Sequence, residues 1–181
     1  QLKRETRETR IELEVEAGTV DPAKISTTDR FLDHMLVTLA RYAGLRISIS
    51  AAGDLRHHLV EDVAITLGLA LRDELPEASR RYGHAVIPMD DALVEATVDT
   101  GGRAYYVGRL PSDLYEHFLQ SFAYNAKITL HVRVLRGHDR HHVVEAAVKA
   151  TALALRAAMS PADVVFSTKG SVQVDRPEER H

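Results

Sequence analysis

His57-His58-Leu59-Val60-Glu61 is followed 84 residues later by His141-His142-Val143-Val144-Glu145, and this repetition decides how the chain folds. Leu69-Ala70-Leu71-Arg72 recurs at the same offset as Leu153-Ala154-Leu155-Arg156. Similar segments at a constant spacing are typical of an internally duplicated protein. The chain is therefore predicted to consist of two related halves.

The similarity extends upstream of the two histidine pairs. Phe31-Leu32-Asp33-His34-Met35-Leu36 aligns with Leu114-Tyr115-Glu116-His117-Phe118-Leu119, so each half offers three histidines and one glutamate in the same order. We predict a first repeat over residues 1–84 and a second over 85–170. Residues 171–181 are rich in charge and poor in apolar anchors, and we expect this tail to be disordered.

Each half shows the same order of secondary-structure patterns, namely strands, a helix, a strand and a helix. In the first half alternation predicts strands around 11–15 and 45–49, and helical spacing predicts helices over 31–43 and from the His-His pair onwards. The second half has strand patterns over 86–99, 104–110 and 128–134, and helical patterns from residue 113 and over 141–159. These elements predict an α+β sandwich, internally duplicated, with a mostly antiparallel sheet and two helices in each half.

Composition excludes several classes of protein. A formal charge of −3 gives no reason to expect nucleic acid or an anionic membrane as a partner. The chain has no cysteine, which excludes disulfides and thiolate metal sites and favours a cytoplasmic location. No apolar run approaches the ~18 residues of a membrane span, and the polar first ten residues do not have the pattern of a signal peptide.

The two His-His-x-x-Glu motifs have the spacing of metal ligands on a helix. Residues i and i+4 share a face, whereas i+1 is turned away by about 100°. The first histidine and the glutamate of each motif can therefore hold one ion while the second histidine points elsewhere. Imidazole with carboxylate suits manganese, iron, zinc or nickel, and two sites of three nitrogens and one oxygen leave positions open for a substrate. The predicted ligands are His34, His57, His58, Glu61, His117, His141, His142 and Glu145.

Other interpretations of these residues remain open at this point. A single histidine on a helix is more often a cap or a solvated surface group, and only the duplication disfavours that interpretation. A dinuclear metal hydrolase is a second candidate, although it would need more carboxylates. A non-catalytic shell protein assembled by metal ions is a third, but it would need no phosphate-binding residues such as Arg81, Arg103 and Lys169. RNA binding is disfavoured because no basic, aromatic sheet face is predicted.

Six motifs, in matching order over nearly the whole chain, resemble the imidazoleglycerol-phosphate dehydratase family. They are Phe31 to Leu36, His57 to Asp62, Pro88 to Leu93, Gly102-Arg103, His141 to Ala146 and Ser167 to Gly170. The resemblance implies manganese-dependent dehydration of imidazole glycerol phosphate to imidazole acetol phosphate in histidine biosynthesis. It implies a fold like ribosomal protein S5 domain 2, and an imidazolate held between two Mn²⁺ ions per active site, with other divalent ions possible. It further implies a homo-oligomer of 24 subunits with metal sites at subunit contacts.

The resemblance also implies roles for individual residues. The eight predicted ligands match the family's metal ligands, whereas His131, a competitor for the place of His117, is interpreted as a strand residue. Glu8 matches a glutamate at the substrate and is the first candidate for general acid or base; His58 and Glu145 are the others. Residues matching substrate contacts, chiefly to the phosphate, are Arg81, Arg103, Lys149, Ser167, Thr168 and Lys169. A shorter loop at residues 53–56 and Val37-Thr38 in place of Asp-Gln depart from the family pattern without removing a ligand.

Overall fold

The computed structural model describes residues 1–76 and 78–162, which form two similar halves. The first half contains β1 (Leu2–Glu5), β2 (Thr9–Ala17), β3 (Ile25–Ser26), α1 (Arg30–Ala43), β4 (Leu45–Gly53) and α2 (Arg56–Glu74). The second contains β5 (Tyr82–Met89), β6 (Ala92–Asp99), β7 (Tyr105–Gly108), α3 (Asp113–Ala126), β8 (Thr129–Arg136) and α4 (Arg140–Met159). Residues 163–181, with Ser167, Thr168, Lys169 and the predicted tail, lie outside the described residues.

Both sheets have the same topology. The strand orders are β1-β2-β4-β3 and β5-β6-β8-β7. Pairing is antiparallel except at one edge of each sheet, where β3 runs parallel to β4 and β7 runs parallel to β8. The predicted fold, two similar α+β halves with mostly antiparallel sheets, is therefore confirmed, while the exact residue limits of the repeats stay predictions.

Two details of the sheets are not predicted by the sequence. Strand β1 is a short edge strand whose only apolar residue is Leu2, so it lacks the apolar alternation that marks a buried strand. The pattern over 86–99 is two strands rather than one, because the chain turns at Asp90 with a φ of 48°. Asp adopts this left-handed conformation more readily than most residues, and the turn brings Asp90 and Asp91 close to the start of α4.

The helices lie between the two sheets. Each helix pair covers one face of its own sheet, and the pairs meet through α2 against α3 and α1 against α4. The α2–α3 contact is close: a Cβ added at Gly68 would lie 2.6 Å from the carbonyl oxygen of Phe122. The buried apolar side chains form one contiguous core across both halves. Within the part of the chain that the structure describes, no helix is long and apolar enough to cross a membrane.

Candidate metal centre

All eight predicted metal ligands lie in the first two turns of the four helices. Residues from the first turns of all four also line one cavity of about 420 Å³, among them Phe31 of α1, Arg56 of α2, Tyr115 of α3 and His141 of α4. The start of α4 is fixed by Asp139, whose side chain accepts hydrogen bonds from the backbone N–H groups of His141 and His142. This N-cap fixes the backbone of the first turn of α4, from which the side chains of His141 and His142 project.

Three of the predicted ligands meet where α1 packs against α4. Nε2 of His34 lies 3.2 Å, and Nε2 of His141 3.1 Å, from the same oxygen, Oε2, of Glu145. The potential ligand atoms of the three residues all lie within 4.8 Å of one another. We call this group triad A. Its histidines are exposed, so the group opens to solvent, whereas Glu145 is 6% exposed and forms its floor.

Glu145 is buried although it is a charged residue in the second turn of α4. Its second oxygen, Oε1, accepts a hydrogen bond of 2.9 Å from Nζ of Lys149, one turn later on α4. Burial acts to raise the pKa of the Glu145 carboxyl, but the hydrogen bonds from Lys149 and His34 outweigh it and hold the pKa below its usual value. The carboxylate is thus charged at neutral pH and held in position by three cationic or potentially cationic partners.

A second group lies where α2 packs against α3. His57, Glu61 and His117 line one cavity of about 360 Å³ together with Asp113 and Leu114. We call these three residues triad B. In composition triad B repeats triad A with the halves exchanged, since each triad takes a histidine and the glutamate from one His-His-x-x-Glu motif and a single histidine from the other half. Among the described residues, however, only the potential ligand atoms of triad A all lie within 4.8 Å of one another.

The second histidine of each pair lies outside both triads in the described chain. Nδ1 of His58 is 2.9 Å from Asp54 and 3.6 Å from Glu8, and Nδ1 of His142 is 2.8 Å from Asp91. The hydrogen bonds to Asp54 and to Asp91 raise the pKa values of His58 and His142, respectively. A carboxylate on one ring nitrogen fixes the orientation of the ring and directs the other nitrogen away from that carboxylate. In His142 this second nitrogen, Nε2, lies 3.3 Å from the exposed carboxylate of Asp90.

The roles of Asp54 and Asp91 in orienting the second histidines were not predicted from the sequence. For Asp54 the spacing could have indicated this role, because Asp54 precedes His58 by four residues near the start of a helix. Asp91 lies 51 residues before His142, and only the packing of the β5–β6 turn against α4 brings the two together. Backbone N–H groups of His138 and Asp139 also bind Asp91, and with His142 they hold the pKa of its carboxyl well below the usual range.

The predicted phosphate contacts that the structure describes, Arg81 and Arg103, lie near the C-terminal end of α4. Arg81 donates to both oxygens of Asp99, at 2.7 and 3.0 Å, and Arg103 lies near enough to help lower the pKa of Asp99, against which burial acts. The backbone N–H of Arg81 binds the carbonyl oxygen of Ala158. Ala158 follows Glu145 by 13 residues, which at 1.5 Å per residue separates the arginines from triad A by roughly 20 Å. Within one chain, these arginines and triad A are therefore too far apart to form one site.

Of the other residues considered in the sequence, Glu8 lies at the end of the molecule that carries the triads and His131 does not. Glu8 is exposed and sits beside His58, just before β2. His131 lies in β8 on the outer face of the second sheet, 5.8 Å from the ring of Tyr105, as expected of a strand residue.

Triad A has the donor set and the spacing that a divalent ion requires. Neighbouring ligands about 2.1 Å from an octahedral ion lie about 3 Å apart, and the two nitrogen–oxygen separations in triad A are 3.1 and 3.2 Å. Nitrogen and carboxylate donors without sulfur suit manganese, iron or zinc. The residues of triad A therefore fit such an ion.

Comparison with known proteins gives the same family throughout. The family model described as imidazoleglycerol-phosphate dehydratase matches residues 27–155. A protein of that name from Granulibacter bethesdensis is 43% identical over 190 residues, covering 94% of this chain and 97% of that protein. One from Pyrobaculum calidifontis is 46% identical over 184 residues, covering 93% and 97%.

Solved structures agree with the sequence relatives. The fold is similar to a crystal structure of IGPD from Pyrococcus furiosus in complex with (S)-C348, with a TM-score of 0.81 and 41% identity, covering 94% of this chain and all of that one. It is also similar to imidazoleglycerol-phosphate dehydratase from Staphylococcus aureus, with a TM-score of 0.74 and 29% identity, covering 89% and 98%.

Proposed function

Because this chain belongs to the imidazoleglycerol-phosphate dehydratase family, whose members are hydro-lyases of histidine biosynthesis, we propose that it converts imidazole glycerol phosphate to imidazole acetol phosphate with two Mn²⁺ ions. The observation that carries the metal part of this proposal is triad A, in which two imidazoles converge on one buried carboxylate oxygen. Bound in triads A and B, the ions would supply Lewis acidity that favours the imidazolate form of the substrate ring.

Glu8 is the proposed group for proton transfer. It is exposed, carries a carboxylate 3.6 Å from Nδ1 of His58, and lies on the turn that leads into β2. A carboxylate next to an imidazole whose pKa is raised can accept a proton and pass it on. The dehydration requires loss of a proton from a carbon and protonation of the leaving hydroxyl, and Glu8 with His58 would serve one of these transfers.

Arg81 and Arg103 are the proposed phosphate contacts. Both lie around Asp99, and a phosphate with its larger charge would compete with that carboxylate for the planar guanidinium groups. Ser167, Thr168 and Lys169, outside the described residues, belong to the same proposal through the family motif. Lys149 is proposed to contact the substrate from beside triad A.

The roughly 20 Å between these arginines and triad A supports an active site shared between subunits. The substrate is an imidazole ring with a phosphorylated three-carbon chain, which is too short to reach both groups within one chain. A second copy could supply the arginines to a metal site, and it could also supply the second ring nitrogen of His58 or His142 as a fourth ligand. This separation supports the proposal of a metal-assembled homo-oligomer, and the number of 24 subunits in that proposal rests on the resemblance to the family alone.

Removal of the metal is expected to reduce the size of the particle. With ligands from two subunits on each ion, chelation breaks the contacts that the ions hold together, so light scattering after exhaustive chelation should report a much smaller species. Returning Mn²⁺ should restore the large one. An assembly of unchanged mass in metal-free buffer would contradict metal sites at subunit contacts.

Glu8→Gln is expected to lower turnover by about a hundredfold, the lower end of the range for a general acid or base, while both Mn²⁺ ions stay bound. The matched control is Glu12→Gln. This change neutralises a carboxylate further along β2 and breaks only an exposed ion pair with Lys3. Steady-state kinetics and metal analysis check both variants. Unchanged turnover in Glu8→Gln would remove Glu8 from the mechanism.

The function itself is tested by assay of protein purified without oxygen and analysed for bound metal. Metal-free protein should form no imidazole acetol phosphate, and activity should return as Mn²⁺ is added to two ions per chain. Equal activity without metal would overturn the proposed mechanism. A metal-loaded assembly with no dehydratase activity would favour a non-catalytic shell, and hydrolysis of the phosphate ester would favour a metal hydrolase.

A further inference from the structure

We propose that the two triads bind divalent ions with unequal affinity, that Lys149 causes the difference, and that triad B fills before triad A. The proposal rests on the metal-dependent function proposed above and adds an order of loading to it. The internal duplication allows the surroundings of Glu145 in triad A to be compared with those of the corresponding Glu61 in triad B, and the proposal follows from that comparison.

The types of ligand do not distinguish the triads, although only triad A has its ligand atoms gathered within 4.8 Å of one another in the described chain. His141 and Glu145 of triad A correspond at an offset of 84 to His57 and Glu61 of triad B. The residue four positions after each glutamate does differ, because Lys149 in α4 corresponds to Ile65 in α2. Residues i and i+4 lie on the same helix face, so one glutamate has an ammonium group beside it and the other has an alkyl group.

Lys149 is held against triad A by several contacts. Its Nζ lies 2.9 Å from Oε1 of Glu145, and its side chain is only 19% exposed. The same ammonium donates to the sulfur of Met89 at 3.7 Å and lies 5.7 Å from the ring centre of Tyr42. In the other half the position of Tyr42 is taken by Asn125, at an offset of 83. These contacts hold the ammonium group of Lys149 beside Glu145, and the corresponding positions beside triad B are occupied by Ile65 and Asn125.

Glu61 of triad B has a different environment. It is exposed, and among residues 1–76 and 78–162 no hydrogen bond or ion pair to it is found. Its full negative charge is therefore available to an incoming cation. In triad A the charge of Glu145 is already balanced by Lys149, and an ion bound at Oε2 would be close to a partly buried ammonium group.

The physical consequence is a weaker triad A. A cation that approaches triad A meets a carboxylate and an ammonium of opposite charge, whereas one that approaches triad B meets a carboxylate only. Burial reduces screening by salt and strengthens the repulsion from Lys149 together with the attraction to Glu145. Lys149 also occupies Oε1, which leaves one oxygen of Glu145 for the ion. We expect Mn²⁺ to bind triad A about tenfold or more weakly than triad B, the scale set by one unit charge a few ångströms away.

The test is titration of the full metal-free protein with Mn²⁺, in which electron paramagnetic resonance measures the free ion. The wild type should show two classes of one ion per chain, about tenfold or more apart. Lys149→Met should tighten the weaker class and leave the stronger one unchanged. Ile65→Lys should weaken the stronger class and bring the two together. Lys149→Arg, which keeps the cation, should preserve the difference.

Each alternative result has a distinct meaning. A single class in the wild type, or an unchanged weaker class in Lys149→Met, would overturn the order of loading while leaving the metal-dependent function intact. Absence of any Mn²⁺ binding by the wild type would instead contradict the function on which the proposal rests. Ile65→Lys supplies an independent arm if Lys149→Met does not fold, as judged by circular dichroism.

Discussion

Glu145→Gln is expected to lower turnover by about a thousandfold and to reduce bound Mn²⁺ from two ions per chain to one. The carboxylate oxygen that this change neutralises is the point on which His34 and His141 converge. An amide oxygen carries no net charge and is a weaker ligand for a hard cation. A metal ion at a reacting group contributes several kcal/mol of transition-state stabilisation, and each 1.36 kcal/mol is a tenfold change in rate.

The matched control for this change is Glu95→Gln. Glu95 is also bonded to a histidine and a cation, His84 at 3.1 Å and Arg133 at 2.9 Å, but it lies on the outer face of the second sheet. Turnover and metal content should therefore stay at wild-type values in Glu95→Gln. Thermal unfolding is measured in parallel, because Glu145→Gln leaves the partly buried Lys149 next to a neutral group. Retention of two ions per chain by a folded Glu145→Gln variant would contradict triad A as a metal site.

The sequence predicts the repeated unit of this site well. The spacing of His141 and Glu145 on a helix is local, so their shared face follows from helical geometry without knowledge of the fold. The duplication predicts that His57 and Glu61 behave alike. For the same reason the two α+β halves could be predicted, since their alternating and helical patterns are read over short stretches of chain.

The assembly of each triad from both halves could not be predicted in this way. His34 meets Glu145, 111 residues later, because α1 packs against α4. Nothing in the spacing within one half specifies which helix of the other half it faces. Helix pairing depends on the shapes of contact surfaces, such as the small residue Gly68 that lets α2 approach α3 closely.

The distance from Arg81 and Arg103 to triad A is also a property of the fold. Arg81 and Glu145 match motifs of one family. The sequence does not indicate that Arg81 lies beside the C-terminal end of α4, whereas Glu145 lies near its N-terminal end. Their separation follows from the antiparallel course of β5 along that helix, which runs from Arg81 beside Ala158 to Met89 beside Lys149. The distance that supports the proposal of a shared active site is thus visible in three dimensions only.

Gly83→Ala is expected to destabilise the metal-free fold by about 3 kcal/mol, the upper part of the range for overpacking in a core. A Cβ at this position in β5 would lie 1.7 Å from the carbonyl oxygen of Ala154 and 2.9 Å from the backbone nitrogen of Ala158. Both atoms belong to the backbone of α4 and cannot rotate away, so the strand and the helix must separate. The first turns of α4 carry His141 and Glu145, and the displacement should also weaken Mn²⁺ binding at triad A.

Gly102→Ala is the matched control for this last change. Its φ of +83° disfavours any residue with a Cβ, yet no described atom lies within 4 Å of the position that the Cβ would take. The free energy of unfolding of Gly102→Ala should therefore fall by only about 1 kcal/mol, the cost of a left-handed conformation for alanine. Urea unfolding of the chelated proteins, followed by circular dichroism, measures both losses. A loss in Gly83→Ala no larger than that in Gly102→Ala would show that close contact between β5 and α4 does not limit stability.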